Sequence, residues 1–254
     1  MSGTFTPRPG AAPVLRQVAA QASMEARLLL RNGEQLLLAL VIPVIVLVGG
    51  VAGADRIGMD FSRPTVDILT PGVLALAVMS TAFTSLAIAT GFERRYGVIK
   101  RLGSSPLSRT ALLAGKAGAL FLVEVVQLVV IGAVGLALGW DPDPDLLAAL
   151  AAVLLGTVAF ASLGLLLAGS LRAEATLAAA NLVYLLLLAG GAVVLPASEY
   201  GALGDVATWL PSGALGEALR DALERAAFSP RDLLVLAAWA AVGSALTSRT
   251  FKWE

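Results

Sequence analysis

The sequence contains no cysteine and no histidine. Their absence excludes disulfides, zinc sites made of thiolate and imidazole ligands, and reactions that need a thiol nucleophile or an imidazole base. Charged residues are also scarce, at 14% of the chain, whereas hydrophobic residues make up 57% and the mean hydropathy is +0.84. Soluble globular domains are less apolar and carry more charge. The composition therefore indicates a polytopic membrane protein.

A phosphate-binding loop is missing as well. Gly115 and Lys116 are followed by Ala117, and no glycine precedes them at the spacing that cradles a nucleotide phosphate. We therefore expect that the chain does not hydrolyse ATP by itself and holds no cofactor, metal or catalytic residue of its own. The formal net charge of zero gives no argument for a nucleic-acid partner.

Six runs with at most one charge are long enough, or nearly long enough, to cross a membrane. A hydrocarbon core of about 30 Å needs roughly 20 helical residues. The last run is the shortest, but Arg249, Lys252 and Trp253 follow it as interfacial anchors. We predict an all-α integral membrane domain over residues 35–254, with transmembrane helices at 35–54, 68–92, 117–140, 146–171, 175–198 and 233–248.

The distribution of charges predicts the orientation of these helices. With both termini in the cytoplasm, 13 of the 18 Lys and Arg residues and five of the 18 acids lie inside, against five Arg and 12 acids outside. Basic residues concentrate in cytoplasmic loops, so we expect both termini inside. The bias towards Ala, Leu, Val and Gly, with few Lys, indicates a bacterium of high genomic GC content. We therefore place the chain in a bacterial cytoplasmic membrane.

The N-terminal region is predicted to lie outside the membrane core. Residues 1–13 are rich in Pro, Gly and Thr, which is typical of a flexible tail. Residues 14–34 contain an amphipathic pattern that favours a helix lying in the interface, although a soluble helix has the same pattern. Its two predicted faces carry Arg16, Arg27 and Arg31 on one side and Leu15, Val18, Ala22 and Leu29 on the other.

The connection between the second and third predicted spans, residues 92–109, is a charged island with five basic residues and one acid. Val98, Ile99 and Leu102 recur at helical spacing, so the first ten residues are predicted to form a short amphipathic helix. Pro106 is expected to end this helix. A short, stiff helix between two spans is suited to docking a soluble partner, although a basic loop can also serve topology alone.

The island carries a multi-point residue pattern at Glu93, Arg94, Gly97, Val98, Ile99, Leu102, Ser105, Pro106, Leu107 and Ser108, followed by Leu113, Gly115 and Lys116. This pattern resembles the loop between the second and third spans in the membrane subunits of type-2 ABC exporters. In that family the loop is a coupling helix that sits in a cleft of a separate ATP-hydrolysing subunit. The resemblance implies that ATPase coupling belongs to Glu93, Arg94, Arg95, Tyr96, Gly97, Val98, Ile99, Lys100, Arg101, Leu102 and Pro106.

The same resemblance implies the rest of the assembly. The chain would be the permease subunit of an ATP-driven exporter, with residues 14–34 as the family's elbow helix. Its partners would be two copies of an ABC ATPase, which bind ATP and Mg, and a second permease copy or a close paralogue. The family moves drugs, lipids, polysaccharides and other amphiphiles. Spans with so few charges favour an amphiphile, such as a drug or a lipid, over a sugar chain.

The last outer connection, residues 197–231, is too long for a simple turn. Its apolar piece, residues 206–216, is too short to span and favours a re-entrant helical hairpin. The family resemblance implies the same feature, with a Leu-Pro step at Leu210 and Pro211 leading into a helix over residues 212–227. An amphipathic surface helix is the alternative interpretation.

Polar residues within the spans are candidates for a substrate pathway. Glu124 and Gln127 are three residues apart, so they share one face of the third span. Contact with a polar or cationic substrate group and a purely structural interhelical hydrogen bond are both open for them. The full set of candidates is Glu124, Gln127, Asn181, Tyr184, Thr81, Thr84 and Ser85.

Two other function classes were weighed against a permease. An intramembrane lipid-modifying enzyme needs convergent acids or a nucleophile and a base at one depth. The only acidic cluster, Asp141, Asp143 and Asp145, is instead predicted to form a turn and to cap the fourth span, as Ser108 caps the third. A proton-coupled carrier has little support, because we expect one buried carboxylate, no buried Lys or Arg, and no inverted repeat.

Overall fold

The computed structural model describes residues 12–31, 37–57, 63–103 and 108–251. The described residues are helical apart from short connections, and none of them forms a strand, which confirms the all-α class. The helices are α1 (Val14–Arg31), α2 (Ile42–Ile57), α3 (Thr65–Arg95), α4 (Val98–Gly103), α5 (Arg109–Ala137), α6 (Leu146–Ser170), α7 (Ala173–Gly190), α8 (Ala202–Ala207), α9 (Pro211–Glu224) and α10 (Pro230–Thr250).

Several predictions concern residues outside this description. They are most of the predicted N-terminal tail, the helix stop at Pro106, and the anchors Lys252 and Trp253. Ser108 is described, and its hydroxyl accepts a hydrogen bond from the Ala111 amide at 3.1 Å, so its predicted role as a cap is confirmed.

Five helices in the described part of the chain are long and apolar enough to cross a membrane: α3, α5, α6, α7 and α10. The first predicted span corresponds to a shorter apolar helix, Ala39–Ala54, made of α2 and part of a π-helical segment, Leu37–Val41. A second π-helical segment, Ser80–Ser85, interrupts α3. The chain runs up and down between two ends, which we call the α4 end and the hairpin end, the latter carrying α8 and α9.

Helix α3 lies at the centre of the bundle. Its apolar stretch is 72% buried, against 17% for α7, whose leucines largely face outwards. Helices α2, α5, α6, α7 and α9 pack around α3, and α10 packs along α6. Close approach depends on small residues, because a Cβ at Gly164 of α6 would lie 2.7 Å from the Phe83 carbonyl oxygen of α3. The core is therefore built around the helix that leads into the charged island.

Helix α1 packs on the first turns of α5, with Val18 and Ala22 of its predicted apolar side half-buried and Arg16, Arg27 and Arg31 exposed. Its buried residues are Gln21 and Ala26, whereas Leu15 is 81% exposed. A Cβ at Gly115 of α5 would lie 2.5 Å from the Gln21 side chain, so the two helices are in backbone-close contact. Helices this close together need small residues at their contact. A pattern of large apolar residues therefore does not reveal the contact face.

The fifth predicted span, 175–198, is too long, because α7 ends at Gly190. The chain then continues without a helix to Pro196, and Ala192 has a φ of +51°, which an α-helix does not permit. This stretch is largely buried against α9, and the Ser212 hydroxyl donates to the Gly191 carbonyl oxygen at 2.9 Å. Hydropathy alone did not distinguish buried extended backbone from helix.

Helices α8 and α9 form a helical hairpin joined by the turn 208–210. The predicted helix over 212–227 is shorter than expected: α9 ends at Glu224, since Ala226 has a φ of +45° and donates its amide to the Asp143 carbonyl oxygen at 3.1 Å. Asp145 caps α6 as predicted, accepting hydrogen bonds from the amides of Leu147 and Ala148. The depth of the hairpin in a membrane stays a prediction.

Candidate coupling site

The charged island does not form one helix from residue 92, and this boundary of the prediction is wrong. Residues 92–95 are the last turn of α3, and the helix ends through Tyr96 and Gly97 before α4 begins. Gly97 has a φ of +68°, and its amide donates to the Arg94 carbonyl oxygen at 3.1 Å. Glycine commonly ends helices in this conformation. The acidic and basic residues before Gly97 therefore extend the central helix directly.

Glu93 joins α3 to a buried lysine. The Lys116 ammonium, on α5, lies 2.8 Å from a carboxylate oxygen of Glu93 and 3.1 Å from one of Glu25 on α1. Lys116 is only 7% exposed, so the two carboxylates supply the counter-charge that a buried ammonium needs. A cavity of about 40 Å³ beside this triad, also lined by Thr81 and Ser85, is large enough for water.

Arg94 joins α3 to the end of α6. Its guanidinium donates to the carbonyl oxygens of Ala168 and Leu171, which are in the last turn and the C-cap of α6. It also lies 5.7 Å from the centre of the Phe251 ring, just after α10. Carbonyls at a helix C-terminus lack partners within their own helix and carry partial negative charge, so a cation stabilises them.

Arg95 joins α3 to the start of α7. Its guanidinium forms an ion pair with Glu174, in the first turn of α7, and lies 5.8 Å from the centre of the Tyr96 ring. Both side chains of the pair are at least half exposed, so this link is weaker than the one at Lys116. Three consecutive residues of α3 thus contact α5 with α1, α6, and α7.

Beyond Gly97, α4 offers a mixed apolar and basic surface. Tyr96 is 63% exposed and Val98 37% exposed, and Lys100 and Arg101 are also exposed. Ile99 is buried and attaches α4 to the bundle, and Leu102 is half-buried. A groove of about 440 Å³ between α3 and the α6–α7 turn continues this surface, lined by Gly91, Arg94, Arg95, Ser170, Leu171, Arg172, Ala173 and Glu174.

The structure separates the candidates for a substrate pathway into two groups. Thr81 donates to the Gln127 side-chain oxygen at 2.9 Å, and the Gln127 amide donates to the Ala39 carbonyl oxygen at 2.8 Å. Gln127 therefore connects the π-helical segments of α3 and of the first apolar helix. Glu124, one turn away, is fully buried and accepts a hydrogen bond from Thr157 of α6 at 2.7 Å. This group lies inside the bundle.

The other candidates lie nearer the outside. Asn181 is exposed on α7, and Tyr184, on the same helix, is half-buried and hydrogen-bonded to Ser80. Thr84 and Ser85 are half-buried within the π-helical segment of α3. The structure does not bring Asn181 and Glu124 into one site.

The expectation of no buried Lys or Arg is wrong at both ends. Besides Lys116, Arg220 of α9 is 3% exposed and donates to the carbonyl oxygens of Val193 and Val194 at 3.0 and 2.8 Å. It also lies 3.1 Å from Glu217, three residues earlier on the same helix. Burial lowers the pKa of the Arg220 guanidinium, and Glu217 opposes that shift. The Glu217–Arg220 spacing was the available signal in the sequence.

The charged segment thus extends the central helix of a bundle of membrane-length apolar helices. Residues 58–249 match the family model described as ABC-2 family transporter protein, which covers more than half of the 254-residue chain. The chain belongs to this family of ABC transporter permeases. No curated protein matches it. The match begins after α1 and α2 and ends at residue 249, so it includes the coupling site except for Glu25 and Phe251.

Membership of the family makes the chain a multi-pass membrane protein and the membrane component of an ABC transporter, a role distinct from that of a catalytic subunit. It also implies an ABC ATPase subunit as a partner. The family match does not identify the residues of this chain that contact the ATPase subunit.

Proposed function

We propose that this chain is the permease subunit of an ATP-driven exporter and that the segment from Glu93 to Leu102 receives the movement of the ATPase. One observation supports this proposal above the others. Three consecutive residues at the end of α3 hold three different parts of the bundle, while α4, directly attached to them, presents exposed apolar and basic side chains.

The geometry suggests how movement would pass inwards. A partner that grips Tyr96, Val98, Lys100 and Arg101 displaces α4, and Ile99 and Gly97 connect that displacement to α3. Since α3 is the central helix, its end cannot move without changing the contacts with α5, α6 and α7. The Lys116 contacts, whose ammonium is buried, resist separation more than the exposed Arg95 pair does.

The remaining features of the assembly are parts of the same proposal. Two ATPase copies bind ATP and Mg and dock on two permeases, either identical or closely related. The exposed leucines of α7 suit a partner helix or lipid, and Asn181 and Tyr184 beside them are the candidates for contact with an amphiphilic drug or lipid. The chain lies in a bacterial cytoplasmic membrane, with its termini and α4 in the cytoplasm.

A reconstituted complex of the permease and its ABC ATPase in lipid vesicles tests the coupling role. Reversing the exposed charges, K100E with R101E, should weaken the complex and lower ATP-dependent export while the permease still inserts. Arg27→Glu, an exposed charge on α1, is the matched control and should leave both unchanged. Undiminished assembly and export in the double variant, or full export without the ATPase, would contradict the proposal.

A further inference from the structure

A second groove lies at the hairpin end, where the first half of α10 meets the turn between α8 and α9. Its volume is about 640 Å³, within the range of roughly 300–1,000 Å³ typical of ligand pockets. One wall is a face of α10 and the other is the turn 208–210. The lining residues are Trp209, Arg231, Leu234, Val235, Ala238, Trp239 and Val242.

The end of the groove nearest the α10 N-terminus is cationic and fixed in position. The Arg231 guanidinium lies 5.1 Å from the centre of the Trp209 ring and donates to the Thr208 hydroxyl at 3.0 Å. Among the described residues, no carboxylate oxygen lies within 4.0 Å of it. The adjacent Asp232 is buried and accepts a hydrogen bond from the Ser229 hydroxyl at 2.7 Å. Arg231 thus presents a positive charge that is held in place and, among the described residues, has no direct ion pair, although the buried Asp232 interacts with it electrostatically.

The rest of the groove is an apolar strip. Leu234, Ala238 and Val242 lie on successive turns of α10, and Leu234 and Val242 are 70% and 52% exposed. From Arg231 to Val242 the helix rises about 16 Å at 1.5 Å per residue. This length is close to half of a hydrocarbon core of about 30 Å, the depth of one leaflet.

Trp209 and Trp239 fix the shape of this groove. The Trp239 indole N–H donates to the Trp209 carbonyl oxygen at 2.8 Å, which fixes the Trp239 ring as one side of the groove. Ala238 leaves a notch between the larger side chains of Leu234 and Val242. Tryptophan and arginine together are typical of the level where lipid headgroups meet the hydrocarbon core.

We propose that this groove binds one phospholipid, with its phosphate on Arg231 and an acyl chain along the strip from Leu234 to Val242. The cation at one end and an apolar length of one leaflet match the two halves of such a molecule. A second copy of the chain is the alternative occupant, which crosslinking through this groove would reveal. This inference does not depend on the coupling role of α4.

The bound lipid has a structural consequence for the hairpin. It would contact both Trp209 in the α8–α9 turn and the face of α10, so it would hold the two together from the membrane side. An anionic lipid should bind more tightly than a zwitterionic one, since no described carboxylate oxygen forms a direct ion pair with the Arg231 guanidinium.

Binding can be measured with the full chain in detergent micelles, using a spin-labelled phosphatidylglycerol as probe. Arg231→Gln should weaken binding about tenfold, the size expected for loss of a charge-assisted hydrogen bond. Ala238→Phe should fill the notch and weaken binding as well. Arg225→Gln is the matched control, since Arg225 is exposed at the same end but paired with Asp221 at 2.5 Å, and binding should be unchanged.

Three outcomes would overturn the proposal: equal binding by the wild type and Arg231→Gln, displacement of the probe by inorganic phosphate alone, or efficient crosslinking of two copies through Leu234→Cys. The last test is clean because the chain has no other cysteine. Arg231 is exposed, so its variant should fold even if Ala238→Phe does not, and circular dichroism checks both.

Discussion

Each end of the bundle contains a buried cation, but the two are neutralised in different ways. At the α4 end, Lys116 binds two carboxylates that belong to other helices, Glu25 on α1 and Glu93 on α3. At the hairpin end, Arg220 binds a carboxylate on its own helix, Glu217, and the backbone carbonyls of the segment after α7.

This difference indicates what each end can do. Lysine is a flexible point charge, and its two partners can separate from it as whole helices move. Arginine offers a planar fork of donors, and here the fork binds the carbonyl oxygens of Val193 and Val194 in the segment after α7. The α4 end is therefore connected by contacts that can be exchanged during a transport cycle, whereas the hairpin end is locked.

The largest effect on stability is expected at Arg220, at the hairpin end. Arg220→Met should leave the Val193 and Val194 carbonyls without their donor and Glu217 with only the Ala197 amide, and should destabilise the protein by about 3–5 kcal/mol. Thermal unfolding of the purified chain in detergent measures this loss. Arg220→Lys should recover only part of it, because an ammonium cannot reach all three acceptors in the same geometry. Equal unfolding temperatures for Arg220→Met and the exposed control Arg225→Gln would show that the end is not locked by this residue.

A smaller loss of stability is expected at Lys116. Lys116→Met should cost about 1–3 kcal/mol, because Glu25 and Glu93 keep some access to water and can be hydrated. Its larger effect should fall on coupling, with ATP hydrolysis continuing while export declines. A double-mutant cycle with Glu93→Gln should give an interaction energy of roughly 0.5–3 kcal/mol. Simple additivity of the two changes would mean that the pair is not a functional link.

Substitutions at Gly97 test whether the connection between α3 and α4 needs its bend. Gly97→Ala should cost about 1–2 kcal/mol, since an L-residue is strained at a φ of +68°, and no atom lies within 4 Å to obstruct the new Cβ. Gly97→Pro, which also removes the amide donated to Arg94, should be worse for export than Gly97→Ala. Measuring ATPase stimulation and export in both variants separates a shape effect from a folding effect. Normal export by the proline variant would refute the need for the bend.

The smallest effect on stability is expected at the exposed ion pair between Arg95 and Glu174. Arg95→Gln removes the pair with Glu174 and should change stability by about 0–1 kcal/mol. Chemical denaturation at low and high salt provides the measurement, and the wild-type advantage should shrink as salt screens the pair. A loss as large as that of Lys116→Met would mean that burial is not what separates strong from weak contacts in this segment.

Local features of this fold were predictable from the sequence, and distant ones were not. The caps at Ser108 and Asp145 involve neighbours only two or three residues away, and the structure confirms them. Lys116 and Glu25 are 91 positions apart, and hydropathy treats each charge as exposed. Their contact was therefore invisible to patterns within single helices.

The end of α7 was missed for a related reason. Residues 191–196 are as apolar as the helix before them, so run length counts them as part of the span. What ends the helix is a tertiary contact, with Ser212 and Arg220 of α9 satisfying the backbone that α7 releases. The candidate coupling segment was visible because its charges are unusual between two apolar runs. The three contacts made by Glu93, Arg94 and Arg95 depend on helices that only the fold brings together.

The π-helical segment Ser80–Ser85 sets the rotational phase of everything after it in α3. A single π turn accommodates one residue more than an α-turn, and each residue of an α-helix advances by about 100°. Winding the same residues as a regular α-helix, with none removed, would swing Glu93, Arg94 and Arg95 by about a quarter of a turn. None of the three would then face its present neighbour, so one irregular turn deep in the membrane determines which contacts form at the surface.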